Sequence, residues 1–164
     1  MMRDPVWRGA KVCYIVIGRA ASTSIRRALD NTLGRTNQKK DVASLSDDWF
    51  IFSFVRDPFD RFMSFYNAYC YPGQTAASVK ERGFYHGMPI LDAAALVCDT
   101  PDKTAEKHTN SQSHHLTRGT EKLIPEFVGK IEAFEEDWAR LQDLLGQRLE
   151  TPGNLSAARM RRGR

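Results

Sequence analysis

The hydrophobic positions near the N-terminus form one continuous run, followed by a helical repeat. The run is Val12 to Ile17, and β-branched and aromatic side chains dominate it. A run of this length and composition predicts a strand buried on both faces, as in a parallel sheet. After a turn at 18–21, Ser22-Thr23-Ser24 offers N-cap candidates, and Gly34 is placed to end the helix. Between them, apolar residues recur at helical spacing: Ile25, Ala28, Leu29 and Leu33.

A second unit repeats this order of strand, short loop and helix. Residues 50–55, FIFSFV, are a further buried-strand candidate, and Arg56-Asp57-Pro58 follows. Asp57 can cap a helix whose first position suits Pro58. The predicted helix carries an apolar stripe, with Asp60, Arg61 and Ser64 on the opposite side, so Ser64 is expected to point away from the core. The stripe consists of Phe59, Phe62, Met63, Tyr66 and Tyr69.

The remaining chain is less regular. The pattern predicts a surface connection over 35–48, a long loop over 71–88, a short helix over 89–98, a strand over 127–131 and an amphipathic helix over 134–145. Residues 99–120 are polar and hold three of the four histidines. The two strand-loop-helix units predict an α/β fold with three layers and a central parallel sheet, whose ligands bind beyond the carboxyl ends of the strands.

Composition and charge narrow the function classes. The chain has 164 residues, which predicts a single domain over 1–154 and a basic, flexible tail over 155–164. The four arginines in the last six residues account for the whole net charge of +4. The rest of the chain is therefore neutral, and nucleic-acid binding is not expected. No apolar run is long enough to span a membrane, and the first eleven residues lack the apolar core of a signal peptide. We therefore expect a cytoplasmic protein.

The loop at 18–24 has the features of an anion cradle. Gly18, Ala20 and Ala21 are small enough to let a ligand approach the backbone, and the loop leads into a helix N-terminus, whose unpaired N–H groups favour an anion. Ser22, Thr23 and Ser24 add hydroxyl donors, and Arg19 adds a fixed positive charge. The motif GxxxxGK[ST] is missing, which disfavours magnesium-dependent ATP or GTP hydrolysis. An ordinary capped helix after a strand is the alternative interpretation.

A second anion site is predicted at the end of the second strand. Arg56 should reach the same edge of the sheet as the first loop, and Ser64 lies two turns into the next helix. Two such sites on neighbouring strand ends imply a ligand with two separated phosphates. The alternative is a surface serine beside an arginine in an ordinary ion pair.

The spacing of these residues resembles the two signatures of sulfotransferases that use 3′-phosphoadenosine 5′-phosphosulfate (PAPS). Residues 17–25, IGRAASTSI, are similar to the family's 5′-phosphosulfate loop, Pro-Lys-Thr-x-x-Thr-Ser, with Arg19 where the family has lysine. Residues 54–66, FVRDPFDRFMSFY, are similar to the 3′-phosphate signature F-V-R-[DN]-P-[FY]-x-R-[FLM]-x-S-x-Y. Residues 107–112 and 127–138 resemble later segments of the carbohydrate-type, family 2 enzymes.

The resemblance implies a P-loop-like nucleotide-binding sulfotransferase fold and a transferase that moves a sulfuryl group from PAPS to an acceptor hydroxyl, expected to belong to a glycan. It places the cofactor on Arg56, Ser64 and the loop 19–24 (Arg19, Ala20, Ala21, Ser22, Thr23 and Ser24), with adenosine 3′,5′-bisphosphate (PAP) as product. Arg19 would act catalytically on the leaving phosphate oxygen, and His108, in the His-x-x-x-Gln segment, is the candidate base. Glu132 and Asp137 are expected to serve structure.

Two other functions stay open at this point. One is a relative that binds the nucleotide without turnover, which the arginine at position 19 prompts. The other is a kinase-like phosphoryl transferase on the same kind of cradle. No metal site is expected, because the histidines at 108, 114 and 115 lack the HxxxH and HExxH spacings. The sequence predicts no oligomeric state.

Overall fold

The computed structural model describes residues 2–71 and 77–153. In this part of the chain the sheet strands are β1 (Asp4–Trp7), β2 (Val12–Ile15), β3 (Lys39–Lys40), β4 (Phe50–Val55) and β5 (Phe127–Lys130). The α-helices are α1 (Ser22–Leu33), α2 (Pro58–Tyr69), α3 (Ile90–Asp99), α4 (Gln112–Thr117) and α5 (Phe134–Leu145). Short 3₁₀ turns occur at Val42–Ser44, Ala77–Arg82 and Ile131–Ala133. The predicted tail over 155–164 lies outside the described residues.

The sheet has the order β3-β1-β2-β4-β5 and is mixed. Strands β2, β4 and β5 are parallel, with Cys13 opposite Ile51 and Phe52 opposite Phe127. The parallel core and the flanking helices confirm the predicted α/β class. Strands β1 and β3 extend this core with two antiparallel pairings at one edge. The carboxyl ends of β2 and β4 therefore lie side by side, as the fold class requires for a shared ligand site.

Strand β1 is missing from the sequence-based prediction, because Asp4 and Pro5 are both unfavourable in strands. Its residues are nevertheless fully covered, since the strand lies between β2 and β3. The Asp4 carboxylate accepts a hydrogen bond from the Val16 backbone N–H at 3.0 Å and forms an ion pair with Arg118. Burial raises the pKa of Asp4, although Arg118 opposes that change. The Asp4 side chain thus takes the place of a backbone carbonyl as acceptor for the Val16 N–H, just beyond the end of β2.

The core beneath the parallel strands is aromatic. The Phe54 ring lies 5.3 Å from Phe134 and 6.0 Å from Trp138, between centroids, so α5 packs directly on β4. A Cβ atom at Gly129 of β5 would overlap the Phe54 ring. Position 129, on the strand next to β4, therefore has no room for a side chain. The inner residues of α1, Ile25 and Leu29, are buried in the same cluster. These contacts fix both strand ends that carry the predicted anion sites.

Two local predictions are wrong. Ser22, Thr23 and Ser24 do not cap α1: the N-cap is Ala21, and no side chain bonds the first turn. The segment 35–48 is more than a surface connection, because it contains β3 and a 3₁₀ turn. The polar segment 99–120, for which no element was predicted, contains α4. The cap of α2 is confirmed, since the Asp57 carboxylate accepts from the N–H groups of Phe59 and Asp60.

The predicted faces of α2 are right in part: Phe62, Tyr66 and Tyr69 of the apolar stripe pack against a buried hydrophobic cluster. Phe59, placed in the apolar stripe, is 69% exposed, whereas Arg61, placed on the outer side, is only 6% exposed. Phe65 is fully buried beside it. Arg61 is buried because the loops beside α2 offer its guanidinium two carbonyl groups, those of Gly18 and Asn110. Ser64 is half-buried and makes the contact described below.

Candidate active site

The loop between β2 and α1 is held in a strained conformation that leaves backbone donors free. Arg19 and Ala21 have φ values of 68° and 55°, in the left-handed region that costs a residue with a side chain about 1–2 kcal/mol. The N–H groups of Ser22 and Thr23 have no acceptor within the described residues. Because neither hydroxyl caps the helix, both are also free to bind a ligand. The loop therefore presents N–H groups and hydroxyls at a positive helix end.

Arg19 connects this loop to α2. Its guanidinium donates to the Ser64 hydroxyl from Nε at 3.1 Å and from Nη2 at 2.9 Å. The same guanidinium lies over the Tyr69 ring, 5.8 Å from the centroid. Both contacts are with neutral groups, which leave the positive charge of the guanidinium uncompensated. The predicted loop site and the predicted helix site thus meet at one point.

Arg56 is held in place through its backbone. Gln112 of α4 accepts from the Arg56 N–H at 2.9 Å and donates to the Arg56 carbonyl at 2.7 Å. The side chain then reaches the first loop, where Nη1 donates to the Arg19 carbonyl at 3.4 Å. Its Nε is buried and has no partner among the described residues. An orphaned donor of this kind fits a phosphate oxygen as its missing acceptor.

Arg61 joins the first loop to the loop before α4. It donates to the Gly18 carbonyl from Nε and to the Asn110 carbonyl from Nη1, both at 2.9 Å. Burial lowers the pKa of Arg61 to about 10, against the opposing charges of Asp102 and Glu106. Nη2 is buried and unpartnered within the described part of the chain. Sequence reasoning assigned Arg61 to the solvent side and missed this role.

Arg19, Arg56 and Arg61 surround the first loop without a direct ion pair, although Asp102 and Glu106 act on the charge of Arg61 from beyond ion-pair distance. No carboxylate of residues 2–71 or 77–153 lies within ion-pair distance of Arg19, Arg56 or Arg61. Cations that are partly withdrawn from water are costly unless an anion accompanies them. The arrangement therefore favours an anionic ligand at the carboxyl ends of β2 and β4.

A cavity of about 890 Å³ borders the first loop. Gly18, Ser22, Thr23 and His108 line it, together with residues of β1 and the outer face of α1. Five basic side chains of the lining have no ion-pair partner among the described residues: Arg3, Arg27, Arg35, Lys39 and Lys107. Arg19, Arg56 and Ser64 are not part of this lining. The cavity is large enough for a small-molecule or oligosaccharide unit.

His108 lies against the first loop beside a carboxylate. A Cβ atom at Gly18 would come within 2.7 Å of His108 Cδ2, so the glycine is what allows the imidazole this close. Both carboxylate oxygens of Glu106 contact His108 Nδ1, at 3.0 and 2.8 Å. On the other side, Nε2 lies 3.5 Å from the Tyr69 hydroxyl. The imidazole therefore stands between the loop, Glu106 and α2.

The other histidines are placed differently. His115 is buried, its Nε2 lies 2.7 Å from Asn110 Oδ1, and desolvation together with the charge of Arg61 lowers its pKa to about 4. His86 is exposed in the loop before α3. His114, in the short helix α4, makes no hydrogen bond with Glu106 or Tyr69. His108 and His115 both line the cavity, but the Nε2 of His115 is already bonded to Asn110, whereas His108 packs against Gly18 of the first loop.

The structure thus brings some of the predicted residues together and leaves others apart. Arg19, Arg56 and Ser64 are in direct contact, whereas Ser22, Thr23 and His108 face the cavity. Ala20 is buried, and the Ser24 N–H begins α1 by bonding the Ala21 carbonyl. Two residues expected to serve structure do so: Glu132 accepts from the Asp57 N–H, and Asp137 accepts from the Lys130 N–H.

Sequence reasoning missed three residues of this region: Arg61, Tyr69 and Glu106. The first two belong to the 3′-phosphate signature or its helix, so a helical projection that allowed for loop contacts could have found them. Glu106 carries no periodic signal, and only its position two residues before His108 could have pointed to it.

Within the described ranges, no three His, Cys, Asp or Glu side chains are grouped so that they could hold a metal ion. In the same part of the chain, none of the helices has the length and hydrophobicity needed to cross a membrane.

Comparison with known proteins gives one match. The model of the sulfotransferase family matches residues 10–161, which include both predicted anion sites and His108. Searches of curated proteins and of solved structures found no match. The match covers most of the chain and agrees with the α/β fold and with the positive cluster at the strand ends. The chain therefore belongs to the sulfotransferase family.

Proposed function

We propose that the protein transfers a sulfuryl group from PAPS to an acceptor hydroxyl, and that the acceptor is a glycan. The single observation that carries this proposal is the cluster of Arg19, Arg56 and Ser64 at the carboxyl ends of β2 and β4. It joins two predicted phosphate sites without any carboxylate to neutralise them. Family membership supports sulfuryl transfer as the chemistry.

Different residues of the cluster would hold the two ends of PAPS. Arg56, with its orphaned Nε, and the Ser64 hydroxyl would hold the 3′-phosphate. Arg19 and the free N–H groups at the start of α1 would hold the 5′-phosphosulfate end. PAPS supplies the sulfuryl group and leaves as PAP.

Transfer requires an in-line displacement, catalysed by positioning and by stabilisation of charge. The acceptor oxygen forms a bond to sulfur while the bond between sulfur and the 5′-phosphate oxygen breaks, and the electron pair stays on that oxygen. Arg19 would stabilise the negative charge that develops there. His108 would take the proton of the acceptor hydroxyl at Nε2.

The cavity of about 890 Å³ offers the acceptor a place beside the transfer site. Its lining includes Gly18 and His108, so a bound hydroxyl would lie near both the loop and the proposed base. The unpaired basic side chains of the lining, such as Arg27 and Lys107, favour an acceptor that carries negative charge.

Binding and turnover test the proposal in turn. Isothermal titration with adenosine 3′,5′-bisphosphate, without magnesium, is expected to show binding, and adenosine 5′-monophosphate is expected to bind more weakly because it lacks the 3′-phosphate. Absence of binding to the bisphosphate would rule out the donor assignment. Turnover of radiolabelled PAPS against glycan and alcohol acceptors then separates a transferase from a protein that only binds the nucleotide.

A further inference from the structure

The Glu106 carboxylate contacts His108 at both its backbone N–H and its ring Nδ1. One carboxylate oxygen accepts from the His108 backbone N–H at 2.6 Å, and the same oxygen lies 2.8 Å from the ring Nδ1. Glu106 itself is only 7% exposed. Burial opposes ionisation, but the hydrogen bonds from His108 outweigh it and lower the pKa of the Glu106 carboxyl. A charged carboxylate therefore faces Nδ1 at neutral pH.

An ionised carboxylate only accepts hydrogen bonds, so Nδ1 must carry the hydrogen. The lone pair of the neutral imidazole is then on Nε2. That atom has the Tyr69 hydroxyl at 3.5 Å, a weak contact at the limit of hydrogen bonding, and the ring lies beside Tyr69 with centroids 5.2 Å apart. Tyr69 also contacts the Arg19 guanidinium through its ring. Nε2 is thus directed toward the cluster that would hold the donor.

Arg61 and Gly18 set the distance of the imidazole from the first loop. Arg61 holds the Gly18 carbonyl and the Asn110 carbonyl together, which ties the loop that carries His108 to the loop after β2. Gly18 leaves the space that His108 Cδ2 occupies. Glu106 fixes the rotation of the ring within that space, because two of its contacts are with Nδ1.

We propose that Glu106 is a positioning residue that keeps His108 in the Nδ1–H form, with Nε2 free to accept a proton beside the loop. The role in catalysis rests on the proposed function. When the acceptor loses its proton to Nε2, Glu106 balances the imidazolium that results, and the proton later leaves Nε2 for solvent. The residue touches neither donor nor acceptor and acts through His108 alone.

Long-range ¹H–¹⁵N spectra of ¹⁵N-histidine-labelled protein test the tautomer directly. In the unaltered protein above neutral pH, Nδ1 of His108 is expected to be protonated and Nε2 unprotonated. In Glu106→Ala the tautomer population of His108 is expected to shift toward the Nε2–H form. A His108 that is already Nε2–H, or one that does not respond to Glu106→Ala in a variant with native thermal unfolding, would overturn the proposal.

Kinetics test the consequence. Glu106→Gln keeps the size of the side chain and an acceptor for the backbone N–H, so the fold is expected to survive, while kcat falls about 100-fold and the KM for PAPS stays constant. Glu106→Asp, which restores a carboxylate, is expected to recover part of the rate. Glu121→Gln, at an exposed glutamate, is the matched control and should behave like the unaltered protein.

The two possible failures are distinguishable. An unaltered protein that transfers sulfuryl groups, with Glu106→Gln equally fast, overturns the positioning role and leaves the proposed function intact. An unaltered protein that transfers none overturns the proposed function, and the spectra still decide whether Glu106 controls the His108 tautomer.

Discussion

The Arg19 guanidinium donates to the Ser64 hydroxyl through both Nε and Nη2, at 3.1 and 2.9 Å, although 45 positions separate the two residues. One belongs to the loop after β2 and the other to helix α2, so the contact joins the two signatures in a single site. Because the Ser64 hydroxyl is neutral and leaves the charge of the guanidinium in place, a phosphate can replace or share this contact without breaking an ion pair.

Replacement of Arg19 tests its role on the leaving oxygen. We expect Arg19→Ala to lower kcat by about 100-fold or more, since it removes a donor aimed at developing negative charge. Arg19→Lys keeps the charge and is expected to retain most of the activity. Steady-state kinetics with PAPS measure both variants. An Arg19→Ala enzyme as fast as the unaltered protein would contradict the assignment.

Arg56 is expected to dominate nucleotide affinity. Arg56→Ala removes a charged donor from a partly desolvated phosphate site, a change that costs about 2–5 kcal/mol, or at least about 30-fold in Kd. The backbone of residue 56 stays held by Gln112, so the fold should not change. Isothermal titration with adenosine 3′,5′-bisphosphate gives the measurement, with Arg148→Ala, at an exposed arginine, as control. Equal affinities of the two variants would show that the 3′-phosphate binds elsewhere.

His115 should make the protein sensitive to acid. Desolvation and the charge of Arg61 lower the folded-state pKa of His115 to about 4, below the value of about 6.5 in an unfolded chain. The unfolded state then binds more protons between these pH values, so the free energy of unfolding is full above about pH 6.5 and falls as pH decreases toward 4. The loss from this residue amounts to about 3 kcal/mol.

Urea unfolding between pH 4 and 8 measures that dependence. In His115→Gln we expect the stability to fall less steeply over the same interval, whatever its value at pH 8. His86→Gln, at an exposed histidine, serves as the control and should follow the curve of the unaltered protein. If His115→Gln shows the unaltered slope, another group is responsible for the acid sensitivity.

Gly129→Ala should destabilise the fold without touching the candidate site. The added Cβ would overlap the Phe54 ring, which is fully buried between β4 and α5 and has no free direction to move. Overpacking of this kind costs about 1–3 kcal/mol. Denaturant unfolding compares it with Gly9→Ala, where an added Cβ meets nothing within 4 Å. A neutral Gly129→Ala would mean that β5 shifts more easily than its packing indicates.

Much of the fold could be predicted from the sequence, because its strongest signals are local. The buried runs at 12–17 and 50–55 became β2 and β4, and the helical repeats after them became α1 and α2. Asp57 and Pro58 begin α2 as predicted. Strand β1 was missed because its pairing with β2 and β3 outweighs the poor strand propensity of Asp4 and Pro5.

The candidate site divides in the same way. The sequence by itself determined that Arg19, Arg56 and Ser64 lie near strand ends, since spacing along strand, loop and helix is a local property. Only the tertiary structure decided that Arg61 is buried beneath the loops and that Glu106 holds His108. Those contacts link segments whose distance along the chain carries no periodic signal. The direction of such a side chain depends on which carbonyl or imidazole the fold brings within hydrogen-bond distance.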